Sequence, residues 1–432
     1  MMNNKPGITD RPWYRWYALG ILVLVFTSSH VDRQIMGILL EPIKQDLGAS
    51  DTQMGFLIGL TFALFYATLG MPIAMLADRA NRRNIITAAI TIWSGMTVVC
   101  GMAQSFFQLA LARIGVGIGE AGSSPPSHSM ISDMFPLSER GTAMGIYALG
   151  VNIGLLIAYL AGGWMSEHWG WRLTFIAVGV PGLLIALIVR FTVAEPERGA
   201  SDTAQKVADA PPFRDVARYM WNTPATRHVV FGSALAGFVG YGMVLWLPAF
   251  FARSHGLSQT DVGLTLALMS GVIGGTGTFV AGKLADVMAR RGEHWYALVV
   301  AIAKIGLVPF LVWFFLTFEF VPALMIYFIP AFFGGFYLAP TFAMIQSLVR
   351  PEMRAVAASI CLFVLNIIGL GIGPQGVGIL SDLLAEDYGN ESLRYSLMIF
   401  SLVNIWCGVH YYLASRSLKS GIAQARGEEL PG

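Results

Sequence analysis

The sequence has 432 residues, of which 55% are hydrophobic and only 12% charged, and its formal net charge is +2. Because soluble domains carry about 25% charged residues, this composition excludes an ordinary soluble protein and indicates a chain that lies mostly in lipid. The small net charge gives no indication of nucleic-acid binding, and the three scattered cysteines predict neither a disulfide framework nor a metal site.

Twelve apolar segments are long enough to cross a bilayer, since one span needs about 20 residues. In chain order they cover 16–40, 52–77, 85–104, 107–131, 141–163, 172–193, 228–252, 261–284, 296–317, 321–349, 355–380 and 393–415. We therefore predict an all-α integral membrane protein that leaves almost no residues for a separate soluble domain.

The distribution of basic residues predicts the orientation of these spans. With a cytoplasmic N-terminus, 21 of the 28 Lys and Arg residues fall in cytoplasmic segments, as the positive-inside rule requires. We expect both termini to be cytoplasmic and the protein to be integral to a plasma membrane.

The longest polar interruption, residues 194–227, predicts a cytoplasmic linker between six-helix bundles at 1–193 and 228–432, the second ending in a cytoplasmic tail. An internal repeat supports this division. Ala-Met-Leu-Ala-Asp-Arg-Ala-Asn-Arg-Arg at 74–83 aligns without a gap with Gly-Lys-Leu-Ala-Asp-Val-Met-Ala-Arg-Arg at 282–291. A weaker echo joins Pro136 to Pro351, so we predict a duplicated architecture.

Ionisable side chains inside spans are costly unless they are paired or wet, and each is a functional candidate. Span one carries His30, Asp32 and Arg33, and span four carries Arg113 and Glu120. Seven residues place Arg113 and Glu120 within about 20° of one helix face, and Asp32 comes about level with Arg113 in depth. We predict that Asp32 pairs with Arg113 while Glu120 lies deeper, near the midplane.

This cluster has the chemistry that proton coupling needs. Burial favours the neutral form of a carboxyl group and a neighbouring cation favours its charged form, so a change of surroundings can move a proton. We predict proton coupling at Asp32 and Glu120, and substrate contacts at His30, Arg33 and Arg113. The alternative is a static pair that holds spans one and four together.

The second half differs, because the central portions of spans seven, ten and eleven carry no charged residue. Their polar and aromatic side chains predict further substrate contacts at Tyr241, Phe336, Tyr337 and Asn366. A cavity that is charged on one side and aromatic on the other suits an amphiphile with an anionic head. Aromatic side chains also fill helix interfaces, which is the alternative for each of them.

The sequence gives no indication of an enzyme. It contains no Gly-x-x-x-x-Gly-Lys-Ser loop for ATP phosphates and no His-Glu-x-x-His metal motif. We therefore expect no cofactor, and a proton gradient as the energy source.

The loop after span two, with Asp78, Arg79, Arg82 and Arg83, resembles the signature loop of the major facilitator superfamily, although Ala74 stands where a glycine is usual. The resemblance implies a fold of twelve transmembrane helices in two pseudo-symmetric six-helix bundles. It also implies a cytoplasmic latch, which we assign to these four residues with three more from the two repeats. Those three are Arg140, Asp286 and Arg290. Ordinary positive-inside anchoring is the alternative for each arginine.

Two segments narrow the resemblance to the spinster branch. These are Val-Asp-Arg-Gln at 31–34 and Arg-Ile-Gly-Val-Gly-Ile-Gly-Glu-Ala at 113–121, which continues into Ser-Ser-Pro-Pro. Spinster proteins are associated with export of sphingosine-1-phosphate and lysophospholipids, and the resemblance implies functional roles for Asp32, Arg33, Arg113 and Glu120.

These observations predict a proton-coupled secondary transporter of an amphipathic lipid, lysophospholipid-like or sphingoid-phosphate-like, that works by alternating access and as a monomer. One alternative is a symporter or exporter of a small organic anion or drug. Another is a membrane receptor that binds a ligand without moving it.

Overall fold

A computed structural model describes residues 11–199 and 211–428, and within these residues it is helical with no strand. In the first part of the chain α1 is Pro12–Leu47, α2 is Asp51–Ile58, α3 is Leu60–Ala77, α4 is Arg82–Met102, α5 is Phe106–Glu120, α6 is Ser124–Met134 and α7 is Leu137–Thr192. A short helix, α8, follows at Phe213–Asn222.

The later helices include several interrupted spans. They are α9, Pro224–His255; α10, Gln259–Leu266; α11, Gly274–Ala289; α12, Trp295–Leu316; α13, Phe320–Phe333; α14, Leu338–Ser347; α15, Arg354–Val364; α16, Gly373–Leu383; α17, Ala385–Tyr388; α18, Ser392–Ser401; and α19, Val403–Arg426. Two π-helical turns, Ala267–Ile273 and Leu365–Ile372, connect α10 to α11 and α15 to α16.

Ten of the twelve predicted spans are confirmed by length and hydropathy. In the part of the chain that the structure describes, nine helical stretches are long and apolar enough to cross a membrane. Several of these stretches join two or three of the helices named above. One of them, α7, has 56 residues and contains two predicted spans on either side of Gly170, whose φ of 78° interrupts the helical conformation. The remaining two spans correspond to α1 and the α5–α6 pair, which carry Asp32, Arg33, Arg113 and Glu120.

Local sequence signals set the ends of these helices. Pro12 stands in the first turn of α1, where its missing N–H costs no helical hydrogen bond, and Gly48 ends α1 in the left-handed conformation. Ser50 and Gln53 form a reciprocal capping box at the start of α2, and the Asn81 side chain caps α4.

The described residues form two compact units. Unit 1 comprises residues 11–49, 61–199 and 258–264, and unit 2 comprises 50–60, 211–257 and 265–428. In unit 1, α7 packs along α1 and α4, while in unit 2 α19 packs against α9 and α12. The buried side chains of unit 2 include an apolar cluster around Val229, Met344 and Tyr411.

Candidate functional site

Three helices of unit 1 bring the predicted charged residues together. Asp32 and Arg33 lie on α1, Arg113 and Glu120 on α5, and α4 packs against α5. A Cβ atom on Gly119 would lie 2.6 Å from the backbone nitrogen of Trp93 on α4. Glycine is therefore required at this position, because any larger residue would push α5 away from α4.

Glu120, the last residue of α5, is fully buried and forms an ion pair with Arg33. The Nε atom of Arg33 lies 2.5 Å from one carboxylate oxygen of Glu120, and the hydroxyl of Ser29 donates to the same oxygen at 3.0 Å. Among the described residues, the second oxygen has no hydrogen-bond partner. Glu120 thus combines one strong cationic partner with one oxygen left open.

Asp32 is also fully buried, and neither of its carboxylate oxygens makes a hydrogen bond of normal geometry within the described residues. The Trp93 indole and the Thr97 hydroxyl of α4 lie beside this carboxyl group, and Glu120 is close enough to interact with it electrostatically. The charge on each carboxyl group therefore depends on the charge of the other.

The predicted ion pair between Asp32 and Arg113 is not formed. Arg113 instead donates to the backbone carbonyl of Asp32 at 3.4 Å, and the ion pair of the cluster joins Arg33 to Glu120. Consecutive residues of a helix point about 100° apart. The Asp32 side chain therefore faces α4, while the neighbouring Arg33 side chain faces the end of α5.

Two aromatic rings of α3 complete the surroundings of the arginines. The guanidinium of Arg33 lies 4.4 Å from the ring centre of Tyr66 and 5.1 Å from that of Phe62, and Arg113 lies 5.7 Å from Phe62. Such contacts stabilise a cation by about 2 kcal/mol or more when it is desolvated. They hold both arginines without neutralising them.

His30 is less free than the charged residues. Its Nδ1 atom lies 2.9 Å from the carbonyl oxygen of Phe26 one turn earlier, and its ring packs edge-on against the Phe26 ring. Nδ1 is thereby committed to the Phe26 carbonyl, so a hydrogen bond to a substrate would have to involve Nε2.

The four predicted contacts in unit 2 fall in different environments. Tyr337 is partly buried and lies on the break between α13 and α14. Asn366 is also partly buried and lies on the π-helical turn Leu365–Ile372. Tyr241 on α9 lies close to Tyr337. Phe336 is 1% exposed and packs in an apolar cluster with Ala281. Its side chain is a core residue of this structure.

Among the predicted latch residues the structure singles out Arg82. Its fully buried guanidinium pairs with Asp133, donates to Glu195 at 2.7 Å and to the Ser129 hydroxyl at 2.8 Å, and reaches the carbonyl of Pro196 at 2.8 Å. The chain after α7 is thereby fixed to the start of α4. The sequence drew attention to Arg82 but not to its partners Asp133 and Glu195.

The other predicted latch residues have fewer contacts. The backbone N–H of Arg83 donates to Glu195 at 2.9 Å, and the carboxylate of Asp286 accepts from the Tyr296 hydroxyl at 2.7 Å. The remaining members are exposed or partly buried, and they are Asp78, Arg79, Arg140 and Arg290.

A second buried charge pair, in unit 2, was missed by the sequence analysis. Asp51, which is 2% exposed, accepts two hydrogen bonds of 2.8 Å from Arg253 and one of 2.6 Å from Ser381. Asp382 accepts from the backbone N–H groups of Asp51 and Thr52. Asp51 and Arg253 both stand near helix ends, where ionisable residues are common, so nothing in the sequence marked them as a pair.

Comparisons with known proteins agree with this arrangement of helices. Residues 22–374 match the sequence profile of the Major Facilitator Superfamily. An MFS-type efflux pump of Mycolicibacterium smegmatis is 34% identical over 418 residues, which cover 96% of this chain and 95% of the pump. The sphingosine-1-phosphate transporter SPNS2 of Danio rerio is 25% identical, with 92% of this chain and 83% of SPNS2 covered.

Solved structures give the same result. The crystal structure of a bacterial homologue of the human lysosomal transporter spinster, inward-facing and unoccupied, is 32% identical and superposes with a TM-score of 0.87, covering 98% of this chain and 100% of that one. The helical fold and these relatives define a class of proteins, the secondary transporters of membranes, which are not enzymes. The chain belongs to the Major Facilitator Superfamily and, within it, to the spinster-type transporters.

Proposed function

We propose that this protein moves an amphipathic lipid, lysophospholipid-like or sphingoid-phosphate-like, across the membrane by alternating access and couples that movement to protons. The observation that carries the proposal is the buried Arg33–Glu120 pair with its open carboxylate oxygen, beside a second buried carboxyl group on Asp32. The sphingosine-1-phosphate transporter among the relatives supports the substrate class.

The proposed coupling follows from competition for one cation. When the anionic head of a lipid binds the guanidinium of Arg33, it displaces the carboxylate of Glu120. Glu120 is then buried without its partner, and a buried unpaired carboxylate takes up a proton. Proton uptake and lipid binding therefore favour each other, and by thermodynamic linkage a proton must raise the affinity for lipid as much as lipid raises the affinity for the proton.

In unit 1, Arg33 and Arg113, held on aromatic rings, supply cations for a phosphate head. In unit 2, Tyr241, Tyr337 and Asn366 are kept as proposed substrate contacts, while Phe336 is left out because its side chain is packed in the core. His30 can contribute only through Nε2.

Proteoliposome transport tests this proposal directly. Uptake of labelled lysophosphatidic acid would be measured with and without an imposed pH gradient, for the unaltered protein and for Glu120→Gln. The matched control is Glu41→Gln, the same change on α1 at a partly exposed carboxylate that accepts from the amide of Gln45. Gradient-driven uptake that is lost in Glu120→Gln and kept in Glu41→Gln supports both lipid transport and coupling. Uptake that ignores the gradient contradicts the coupling.

A second candidate function is export of a drug or of another small organic anion. The Mycolicibacterium smegmatis relative is described as an efflux pump, and a probable galactarate/D-glucarate transporter of Bacillus subtilis is 26% identical over 65% of this chain. Competition separates the candidates. An excess of unlabelled lysolipid should block uptake if the lipid is the substrate, whereas glucarate or a cationic dye should block it under the alternative.

We further propose a bacterial inner-membrane location, cytoplasmic termini and a functional monomer. The excess of Lys and Arg in the segments assigned to the cytoplasm supports this topology. A membrane-impermeant thiol reagent applied to whole cells should leave a cysteine placed at Gly427 unlabelled. Labelling from outside would reverse the orientation.

A further inference from the structure

Span ten is broken near its middle. Helix α13 ends at Phe333 and α14 begins at Leu338, so the four residues 334–337 form a turn inside the span. A broken helix in a membrane leaves backbone carbonyl groups that need partners, because lipid offers none. The C-terminal end of α13 also carries the partial negative charge of the helix dipole.

Lys304 supplies the partner. It lies on α12, is 3% exposed, and donates from Nζ to the carbonyl oxygen of Gly334 at 2.9 Å. The same Nζ lies 4.6 Å from the centre of the Tyr337 ring. Within the described residues Lys304 has no carboxylate partner, so this ammonium is stabilised by one carbonyl, one helix end and one aromatic face.

Tyr337 is also held from its backbone side. Its carbonyl oxygen accepts from the hydroxyl of Thr341 at 2.5 Å, and that hydroxyl lies 2.5 Å from the hydroxyl of Tyr411 on α19. The thiol of Cys407, also on α19, is the other titratable group close to Lys304. Tyr337 is therefore held at two points, with its ring on the ammonium of Lys304 and its backbone carbonyl on the hydroxyl pair that joins α14 to α19.

We propose that Lys304 is a positioning residue, whose tethered ammonium holds the break in span ten and sets the orientation of the Tyr337 ring. Bulk alone does not explain the residue, because a methionine would fill the same space without the cost of burying a charge. Contact between Tyr337 and substrate rests on the proposed function, whereas the role of Lys304 in holding the break is independent of it.

Amide hydrogen exchange tests the structural half without any substrate. Lys304→Met should speed exchange of the amides in residues 334–341 by about tenfold, the effect of losing one hydrogen bond to a charged group. Lys419→Met, the same change near the end of α19, should leave those amides unchanged. Protection at 334–341 equal to the unaltered protein in Lys304→Met would overturn the proposal.

Chemical rescue separates charge from bulk. Lys304→Ala leaves a space shaped like the missing side chain, and added propylammonium should restore protection at residues 334–341, whereas propanol should not. The same amine should have no effect on Lys304→Met, where the space is filled. Rescue by propanol as strong as rescue by the amine would show that volume alone matters, and would refute the role of the ammonium.

Transport tests the substrate half. Lys304→Met should raise the half-saturating concentration of lysophosphatidic acid by about tenfold with a much smaller change in maximal rate, and propylammonium should reverse this in Lys304→Ala. If the exchange result holds while affinity is unchanged, Tyr337 does not meet the lipid. If no lysolipid is transported by any variant, the proposed function fails and the exchange result still decides the role of Lys304. If Lys304→Met is not recovered folded, Lys304→Ala purified in propylammonium provides the same comparison as the amine is removed.

Discussion

Spans four and ten are both broken near the middle, yet the two breaks carry opposite chemistry. In span four the break follows Glu120, a buried carboxylate paired with Arg33. In span ten the break carries no carboxylate, and the ammonium of Lys304 bonds to a backbone carbonyl. Spans four and ten hold corresponding places in the repeat that the sequence predicts, and they share an interruption of the helix but not its charge.

The difference teaches at which break a substrate anion and a carboxylate can compete for one cation. At span four the partner of Arg33 can change, because a substrate anion and Glu120 compete for the same guanidinium. At span ten the partner of Lys304 is a backbone carbonyl, which cannot be protonated or replaced in this way. We therefore expect span four to respond to pH and span ten to hold its geometry.

Neutralising Glu120 should have the largest effect on this contrast. In Glu120→Gln, uptake driven by a pH gradient should fall to the level of protein-free liposomes, because the carboxylate that competes with the substrate for Arg33 is gone. Exchange of labelled for unlabelled lipid at equal pH on both sides should persist, since Arg33 is free to bind the head. A variant that still follows the gradient would assign the proton to Asp32.

Removing the second arginine should reduce binding. Arg113→Ala should weaken lysophosphatidic acid binding by about 10- to 100-fold, the range for losing a hydrogen bond to a charged group. Arg113→Lys keeps the charge and should recover part of this loss. Isothermal titration with purified protein measures both, and unchanged affinity in Arg113→Ala would remove Arg113 from the site.

A double-mutant cycle should show that Arg33 and Glu120 act as a pair. Arg33→Met leaves Glu120 buried without a partner and should cost about 3–5 kcal/mol of stability. Adding Glu120→Gln should restore most of the lost Tm, because no isolated charge remains. Additive losses in thermal melts of the two single variants and the double variant would mean that the pair is not coupled.

The smallest change is expected at Tyr337. Tyr337→Phe keeps the ring that faces Lys304, so lipid affinity should stay within about twofold, while Tyr337→Leu should lose the cation–π contact, which is worth about 2 kcal/mol when desolvated. Equal effects of Phe and Leu in the same binding assay would show that the ring face is not the important feature.

Much of the fold could be predicted from the sequence, because hydropathy alone determines which segments enter a bilayer. The four charged residues on α1 and α5 were also found, since ionisable groups are rare inside spans. Their pairing was not, because adjacent residues such as Asp32 and Arg33 face different neighbours and depth along the helix does not decide which.

Partners from distant parts of the chain were beyond the sequence. Nothing in the segment around Glu195 indicates that it meets Arg82, and Phe336 and Tyr337 look alike in sequence although one is a core residue and the other is partly exposed. The sequence shows one lysine, Lys304, in span nine and a Gly-Gly pair at 334–335 in span ten. Only the folded chain shows that Lys304 contacts Gly334.

The π-helical turns of unit 2 have a consequence for motion. Each is an α-helix with one residue inserted, and each residue of an α-helix adds about 100° of rotation and 1.5 Å of length. If the inserted residue of Leu365–Ile372 moved one turn along the span, the side chains that it passed, Asn366 among them, would rotate by about 100° while both ends of the helix stayed in place. A shift of this kind lets span eleven present different side chains on one face without bending at a hinge.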